Sequence, residues 1–130
     1  MNRWPVALIV LALAAPAVPA RDVGVCKLNI TLRQMVDDMN RTMKVCMTIA
    51  DYTRECGRFG IDVKEFDNAE GRLPRIQKDE GAVYIEGKVR QSDGSPGAWR
   101  IVDRFQIAGE RHKFLQGYYT DGRYATFCGL

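Results

Sequence analysis

The spacing of apolar residues between positions 31 and 59 predicts a helical segment. Apolar side chains recur there at intervals of three and four and form one stripe, made of Leu32, Met35, Val36, Met39, Met43 and Met47. Thr31 is the expected N-cap, and Gly57 and Gly60 end the helical pattern. A stripe so rich in methionine suits either a flexible binding groove or core packing, and we favour core packing.

The pattern changes to a two-residue alternation beyond Ile61. The alternating segments are AVYIEGKVR (82–90), WRIVDRFQI (99–107), KFLQGYYT (113–120) and RYATF (123–127), with turn sequences DGSPG, AGE and DG between them. Helix first and antiparallel strands afterwards predict an α+β domain, with the N-terminal helical part packed on one face of an antiparallel sheet.

The first twenty residues are typical of a secretory signal. One early positive charge, Arg3, precedes an apolar run, and small residues precede Arg21, which predicts cleavage after Ala20. A membrane anchor is the alternative, but the apolar run is short and ends in a cleavage pattern. The sequence therefore predicts a leader at 1–20 and a single exported domain at 21–130, with no membrane partner.

Four cysteines remain after the predicted cleavage: Cys26, Cys46, Cys56 and Cys128. In an exported chain an even number of cysteines favours two disulfides, and four cysteines allow three pairings. We favour Cys26 with Cys128, which joins the two ends of the domain, and Cys46 with Cys56.

The net charge and the motifs of the chain limit which ligands, metals and cofactors it is expected to bind. Loss of Arg3 with the leader lowers the formal net charge from +3 to +2, so bulk charge alone would not hold a polyanion. The chain has no glycine-rich phosphate loop, and its lone histidine, His112, lacks a metal-ligand companion at useful spacing. We expect no metal and no cofactor, and we expect His112 at a solvated hairpin tip. Asn29 and Asn40 begin glycosylation sequons, whose use depends on the host.

Polar residues on the predicted strands are the candidates for chemistry. Alternation places Glu86 on one face with Tyr84 and Lys88, while Arg100 begins the next strand. If the strands are neighbours, Glu86 meets the guanidinium groups of Arg100 and Arg123 on one sheet face. Two cations and a carboxylate suit a phosphodiester, with the carboxylate taking a proton. A surface ladder of salt bridges explains the same pattern, and spacing alone leaves both open.

Four sequence stretches resemble a known enzyme family. FDNAEGRLP (66–74) is similar to the base-binding loop of barnase-type microbial ribonucleases, and GSPGAWRIV (94–102) resembles a turn and strand of the related fungal guanyl-specific ribonucleases. YYTDGRYATF (118–127) resembles the last strand of the bacterial members, and DVGVC (22–26) the first disulfide cysteine of the bridged members. The stretches occur in the family's order and span most of residues 22–130.

The resemblance implies a helical part on an antiparallel sheet and cleavage of single-stranded RNA after guanosine without a metal. Glu86 matches the general base, Arg100 the phosphate-binding arginine, and Tyr124 a tyrosine beside the catalytic pair. In the loop, Glu70 matches the carboxylate that accepts from guanine, and Asn68 its conformation-setting neighbour. Phe66 begins the same loop, where core packing explains it equally well.

The chain departs from the family at three places. Ala69 stands where the bacterial loop has an arginine, and a hairpin extension is predicted around residues 106–116. Arg123 occupies the position of the catalytic histidine. A guanidinium can bind phosphate but does not release a proton near neutral pH, so the resemblance implies a compromised general acid.

Two functions therefore follow from the sequence. The first is a monomeric, exported, guanyl-preferring endoribonuclease, slowed by the change at Arg123, with Tyr124, water or His112 as substitute acids. The second is an inactive module that binds RNA, a guanine nucleotide or a protein through the same groove. A proteinaceous inhibitor is a further expected partner, and a secreted disulfide scaffold with coincidental motifs is the remaining alternative. Glu86 favours the enzyme over the binding module. A carboxylate facing a phosphate repels it, so a protein that only binds the ligand has no need of one there.

Overall fold

Two helices precede a five-stranded sheet. The computed structural model describes residues 23–130, so the predicted leader at 1–20 lies outside the described residues. The sheet has the order β1-β2-β3-β4-β5, and each neighbouring pair is antiparallel. The predicted α+β architecture is confirmed. The elements are α1 (Ile30–Cys46), α2 (Tyr52–Arg58), β1 (Ile61–Phe66), β2 (Ala82–Arg90), β3 (Pro96–Ala108), β4 (Arg111–Asp121) and β5 (Phe127–Gly129).

Neither helix of the described region has the length and apolarity needed to cross a membrane.

The helical region is two helices, so the prediction of one helix over 31–59 was wrong. Ten residues of continuous helix would separate the Cα atoms of Cys46 and Cys56 by about 15 Å. These residues form a disulfide with a Cα–Cα distance of 5.1 Å, which requires the chain to turn back between them. Thr48 stabilises the turn, because its hydroxyl donates to the Val45 carbonyl at 2.7 Å.

The N-cap prediction at Thr31 was also wrong. Asn29 is the N-cap, and its side-chain oxygen accepts a hydrogen bond from the Leu32 backbone N–H at 2.9 Å. Thr31 lies inside the first turn of α1. Both residue types suit a cap, and the chain direction at Asn29, in an extended conformation, decides between them.

Apart from the half-exposed Met35, the methionine stripe packs against one face of the sheet, which confirms the core interpretation for its other members. Met43 and Met47 are fully buried, in a cluster that also contains Ile85, Ile101 and Phe105. Gly87 permits the close approach of α1, because a Cβ there would lie within 3 Å of the Met43 side chain. This helix-facing core leaves the other sheet face free for a separate set of contacts.

A second apolar cluster forms on the other sheet face. Leu73, Tyr84, Val102 and Tyr118 are buried in it, and Tyr84 donates a 2.6 Å hydrogen bond to the Pro74 carbonyl. This cluster anchors the long connection between β1 and β2 to the sheet.

Both favoured disulfides are present. Cys26 is bonded to Cys128, 102 residues away in sequence, and Cys46 is bonded to Cys56. The first bond joins the segment before α1 to β5, where Val25 also pairs with Gly129. The N-terminal segment is thereby tied to the edge of the sheet.

Asp103, a residue of β3, carries a fully buried carboxyl that faces α1. Burial raises its pKa well above the usual range, and the Lys44 ammonium opposes that shift. The side-chain amide of Asn40 faces the carboxyl, with its nitrogen 2.9 and 2.6 Å from the two oxygens when oriented as the donor. Asn40 is itself buried, so a glycan on its sequon is incompatible with this packing.

Asp103→Asn is expected to stabilise the protein above neutral pH. A raised native pKa means that the folded state holds the proton more tightly, so the free energy of unfolding falls as pH rises from about 4 through the raised value. The amide variant has no such loss and should gain on the order of 1 kcal/mol or more at pH 8. Thermal unfolding at pH 5 and pH 8 measures the difference.

Asp62→Asn is the matched control, because Asp62 is an exposed carboxylate whose pKa is lowered by its hydrogen bond with Arg90. If Asp103→Asn and wild type lose stability equally between pH 5 and pH 8, Asp103 is ionised in the native state.

Candidate active site

A cavity of about 590 Å³ opens on the sheet face opposite the helices. Its walls come from β1, from residues 66–72 (the base loop), from β2 and from residues 121–126 (the last turn). Six of the seven residues predicted to be catalytic or base-binding line it: Phe66, Asn68, Glu70, Glu86, Arg123 and Tyr124. Arg100, the seventh, is not a lining residue.

Glu86 is the buried carboxylate of this cavity, with a side chain only 2% exposed. It lies on β2 between the central positions of β1 and β3, opposite Lys64 and Val102. Its Oε1 has no hydrogen-bond partner among residues 23–130. Two ammonium groups, of Lys64 and Lys88, lie 3.9 Å from that oxygen. A buried oxygen with unused acceptor capacity beside two cations suits proton abstraction next to a phosphate.

Lys64 is a cavity residue that the sequence analysis did not identify. It stands on β1, paired in register with Glu86, and its side chain is 66% exposed. The alternation of IDVKEF was the available signal, with Lys64 sharing a face with Phe66.

Arg100 reaches the cavity through Tyr124. Its Nε donates to the Tyr124 hydroxyl oxygen at 3.1 Å, and its Nη1 donates to the carbonyls of Gly97 and Trp99. The described residues contain no direct ion pair between Arg100 and Glu86, so the two do not form the alternative salt-bridge ladder. Burial, followed by the neighbouring Glu86 carboxylate, raises the pKa of Tyr124 to about 12. Tyr124 therefore keeps its proton at neutral pH.

Arg123 and Tyr124 lie in the last turn, not on a strand, so the predicted strand over 123–127 was wrong. Asp121 accepts from the Arg123 backbone N–H at 2.9 Å, which redirects the chain after β4. Gly122 packs tightly in that turn, because a Cβ there would lie 2.8 Å from the Ala98 carbonyl oxygen. The β-strand resumes only at Phe127.

The guanidinium of Arg123 is largely free to meet a ligand. Its side chain is 86% exposed and lies 3.2 Å from one Asp121 oxygen. The backbone and the guanidinium of Arg123 together lower the pKa of Asp121. This position supplies a cation at the mouth of the cavity but no group that titrates near neutral pH.

The base loop is held closed by Asn68. Its side-chain nitrogen donates to the Leu73 carbonyl at 2.9 Å, and its oxygen accepts from the Leu73 N–H at 3.1 Å. The backbone of Asn68 is left-handed, with φ of 53°. Glu70 projects from this loop with a 70% exposed side chain, 3.6 Å from the Nε of Arg72. The loop thus presents a carboxylate from a fixed backbone.

Phe66 packs against other aromatic rings and also borders the cavity. Its ring stacks on Tyr124 at 6.0 Å between centroids and packs against Phe127 at 5.9 Å, which places it against the second apolar cluster. It also lines the cavity.

His112 is excluded from the site. The extended β3–β4 hairpin is present, but its imidazole packs against Tyr52 of α2 at 5.0 Å and Phe105 at 6.1 Å, on the helix-facing side. The expectation of a solvated hairpin tip was wrong, and His112 does not line the cavity.

No cluster of three or more His, Cys, Asp or Glu side chains able to hold a metal ion occurs in residues 23–130.

Comparison with known proteins identifies the family of the chain. No curated protein and no solved structure matches the chain. A family model described as ribonuclease matches residues 23–130, a range that includes every residue lining the cavity and every strand of the sheet. The chain therefore belongs to the ribonuclease family.

Proposed function

We propose that the protein is an exported endoribonuclease that prefers guanosine and cleaves single-stranded RNA by transesterification. The supporting observation is the buried Glu86 carboxylate, whose free Oε1 faces a cavity shared with the base loop. The two disulfides suit an oxidising compartment and support export.

Glu86 takes the proton from the ribose 2′-hydroxyl in this proposal. The hydroxyl oxygen then attacks the adjacent phosphorus, and the leaving 5′-oxygen departs to give a 2′,3′-cyclic phosphate. The ammonium groups of Lys64 and Lys88, each 3.9 Å from Oε1, place positive charge beside the carboxylate and the position proposed for the phosphate.

Cations of the cavity stabilise the charge that develops on the phosphate. Lys64 and Arg123 line the cavity, and Arg100 orients the hydroxyl of Tyr124 toward it. Fixed positive charges in a partly buried site stabilise a phosphoryl transition state without a metal ion. The carbonyls of Gly97 and Trp99 accept hydrogen bonds from Arg100 and fix its guanidinium before the substrate binds.

Protonation of the leaving oxygen is the slow step. Arg123 has no proton to give near neutral pH, and a raised pKa makes Tyr124 a weak acid. Water or Tyr124 therefore supplies the proton, and the rate falls below that of an enzyme with a titratable donor by roughly 10²- to 10⁴-fold.

Guanine selection rests on Glu70. Its exposed carboxylate can accept from guanine N1–H and N2–H, a donor pair that adenine lacks. Asn68 holds the loop that presents it.

Cleavage of the dinucleotides guanylyl-uridine and adenylyl-uridine tests the proposed function. Wild type should cleave the guanine substrate faster, and Glu70→Gln should reduce that preference by roughly tenfold, since one charged acceptor is lost. Asp79→Asn, an exposed carboxylate that does not line the cavity, is the control. Binding of guanosine 3′-phosphate without any turnover would instead support the non-cleaving module.

Arg123→His is expected to increase cleavage by up to about 10²-fold. The imidazole places a titratable donor in the last turn, so the pH–rate profile should become bell-shaped, with a carboxylate limb and an imidazole limb. Measurement of kcat between pH 4 and pH 9 checks both features.

Arg123→Ala separates charge from proton donation. It should weaken nucleotide binding without raising kcat. If the wild type already cleaves quickly and Arg123→His cleaves more slowly, the general acid is another residue.

A further inference from the structure

We propose that Arg72 is a positioning residue that sets base preference by tying the base loop to the last turn. This inference rests on the proposed function. Arg72 is the last residue of the base loop and lines the cavity. Its Nη1 donates to the Ala125 carbonyl at 2.9 Å, and its Nε lies 3.6 Å from an oxygen of Glu70.

The two contacts use the geometry of arginine. Different nitrogens of one planar guanidinium meet the carboxylate of the base loop and a backbone oxygen of the last turn. A lysine ammonium carries the same charge without the rigid fork needed to span two acceptors. Within residues 23–130 this is the one side-chain hydrogen bond between the base loop and the last turn.

Backbone strain is concentrated at the ends of this connection. Asn68 and Tyr124 are the two non-glycine residues with positive φ in residues 23–130, at 53° and 59°. One lies in the base loop and the other directly precedes Ala125. Left-handed backbone at a non-glycine residue persists only where surrounding contacts compensate for it, and such residues cluster at functional sites. Asn68 has its own compensating bonds to Leu73, whereas Arg72 supports the segment after Tyr124.

Arg72 also limits where the Glu70 carboxylate can point. Glu70 is 70% exposed, so an unpaired side chain would sample many rotamers and lose that freedom on binding guanine. Pairing with Arg72 holds the carboxylate beside the cavity before the base arrives. Arg72 is therefore expected to favour guanine over adenine while leaving the Glu86 chemistry in place.

The test measures kcat/KM for guanylyl-uridine and adenylyl-uridine in wild type, Arg72→Ala and Arg72→Lys. Both variants should lower the guanine-to-adenine ratio by about fivefold, mainly through KM for guanine, because partly exposed charged contacts contribute modestly. The adenine rate should stay within about twofold of wild type. Arg111→Ala, an exposed arginine at the start of β4 that does not line this cavity, should leave the ratio unchanged.

A double-mutant cycle with Glu70→Gln establishes whether Arg72 acts through Glu70. The effects of the two substitutions should be strongly non-additive on the ratio. The proposal would be overturned by additive effects, by an equal loss on both substrates, or by full function in Arg72→Lys. Arg72 would then act only through its positive charge at the edge of the cavity. A wild type with no guanine preference contradicts the proposed function itself, whereas a preference that survives in both Arg72 variants contradicts only the role of Arg72.

Discussion

Replacing Cys26 and Cys128 together with serine is expected to lower the free energy of unfolding by roughly 4 to 5 kcal/mol. The bond closes a loop of 102 residues, so its loss releases nearly the whole domain in the unfolded state. It also removes the covalent link between the segment before α1 and the edge strand β5, so that only non-covalent contacts, which include the Val25–Gly129 bridge and two backbone hydrogen bonds of Gly129, hold the two together. Urea unfolding of the two proteins gives the difference directly.

The second disulfide provides the matched control. Cys46 and Cys56 are only 10 residues apart, so the same loop-entropy model predicts a smaller loss, of roughly 3 kcal/mol or less, for their double serine variant. A larger loss from the short bond than from the long one would contradict the chain-entropy explanation. It would show instead that the reversal between α1 and α2 depends on its crosslink.

Much of the fold could be predicted from local patterns. The methionine stripe identified the buried face of α1, and the alternation of AVYIEGKVR gave β2 with the same bounds as the structure. The break after Cys46 was missed because apolar periodicity continues to Met47, and only the Cys46–Cys56 pairing forces the reversal. Periodicity reports which side chains are buried, not where the chain changes direction.

Most residues of the site were identified from the sequence, but one residue of β1 and the conformation of the last turn were not. Glu86 and Arg100 follow from alternation, since the register of β2 and β3 places them on one face. Lys64 was missed because β1 was not assigned as a strand. Arg123 and Tyr124 were placed on a strand because aromatic alternation runs through the Asp-Gly turn. The positive φ of Tyr124 depends on tertiary contacts that composition does not reveal.

Replacing Glu86 with glutamine is expected to reduce kcat on a guanosine dinucleotide by roughly 10²- to 10⁴-fold, the usual cost of losing a general base. The amide has nearly the same shape as the carboxylate, so the fold should persist. Binding of guanosine 3′-phosphate should be unchanged or tighter, because a buried negative charge facing the phosphate is removed. Single-turnover cleavage and calorimetric binding measure the two effects.

Glu110→Gln is the control for charge, because Glu110 is exposed at the turn of the β3–β4 hairpin, away from the cavity. If Glu86→Gln cleaves at the wild-type rate, Glu86 is not the base. The salt-bridge role on the sheet would then be its function.

Identification of the first product from guanylyl-uridine tests the central claim most directly. A protein comprising residues 21–130, incubated in excess chelator, should release uridine and guanosine 2′,3′-cyclic phosphate, followed by slow opening of the ring, as resolved by mass spectrometry. Binding of the dinucleotide with no cyclic product, at protein concentrations equal to the substrate and over many hours, would contradict an endoribonuclease that acts through Glu86.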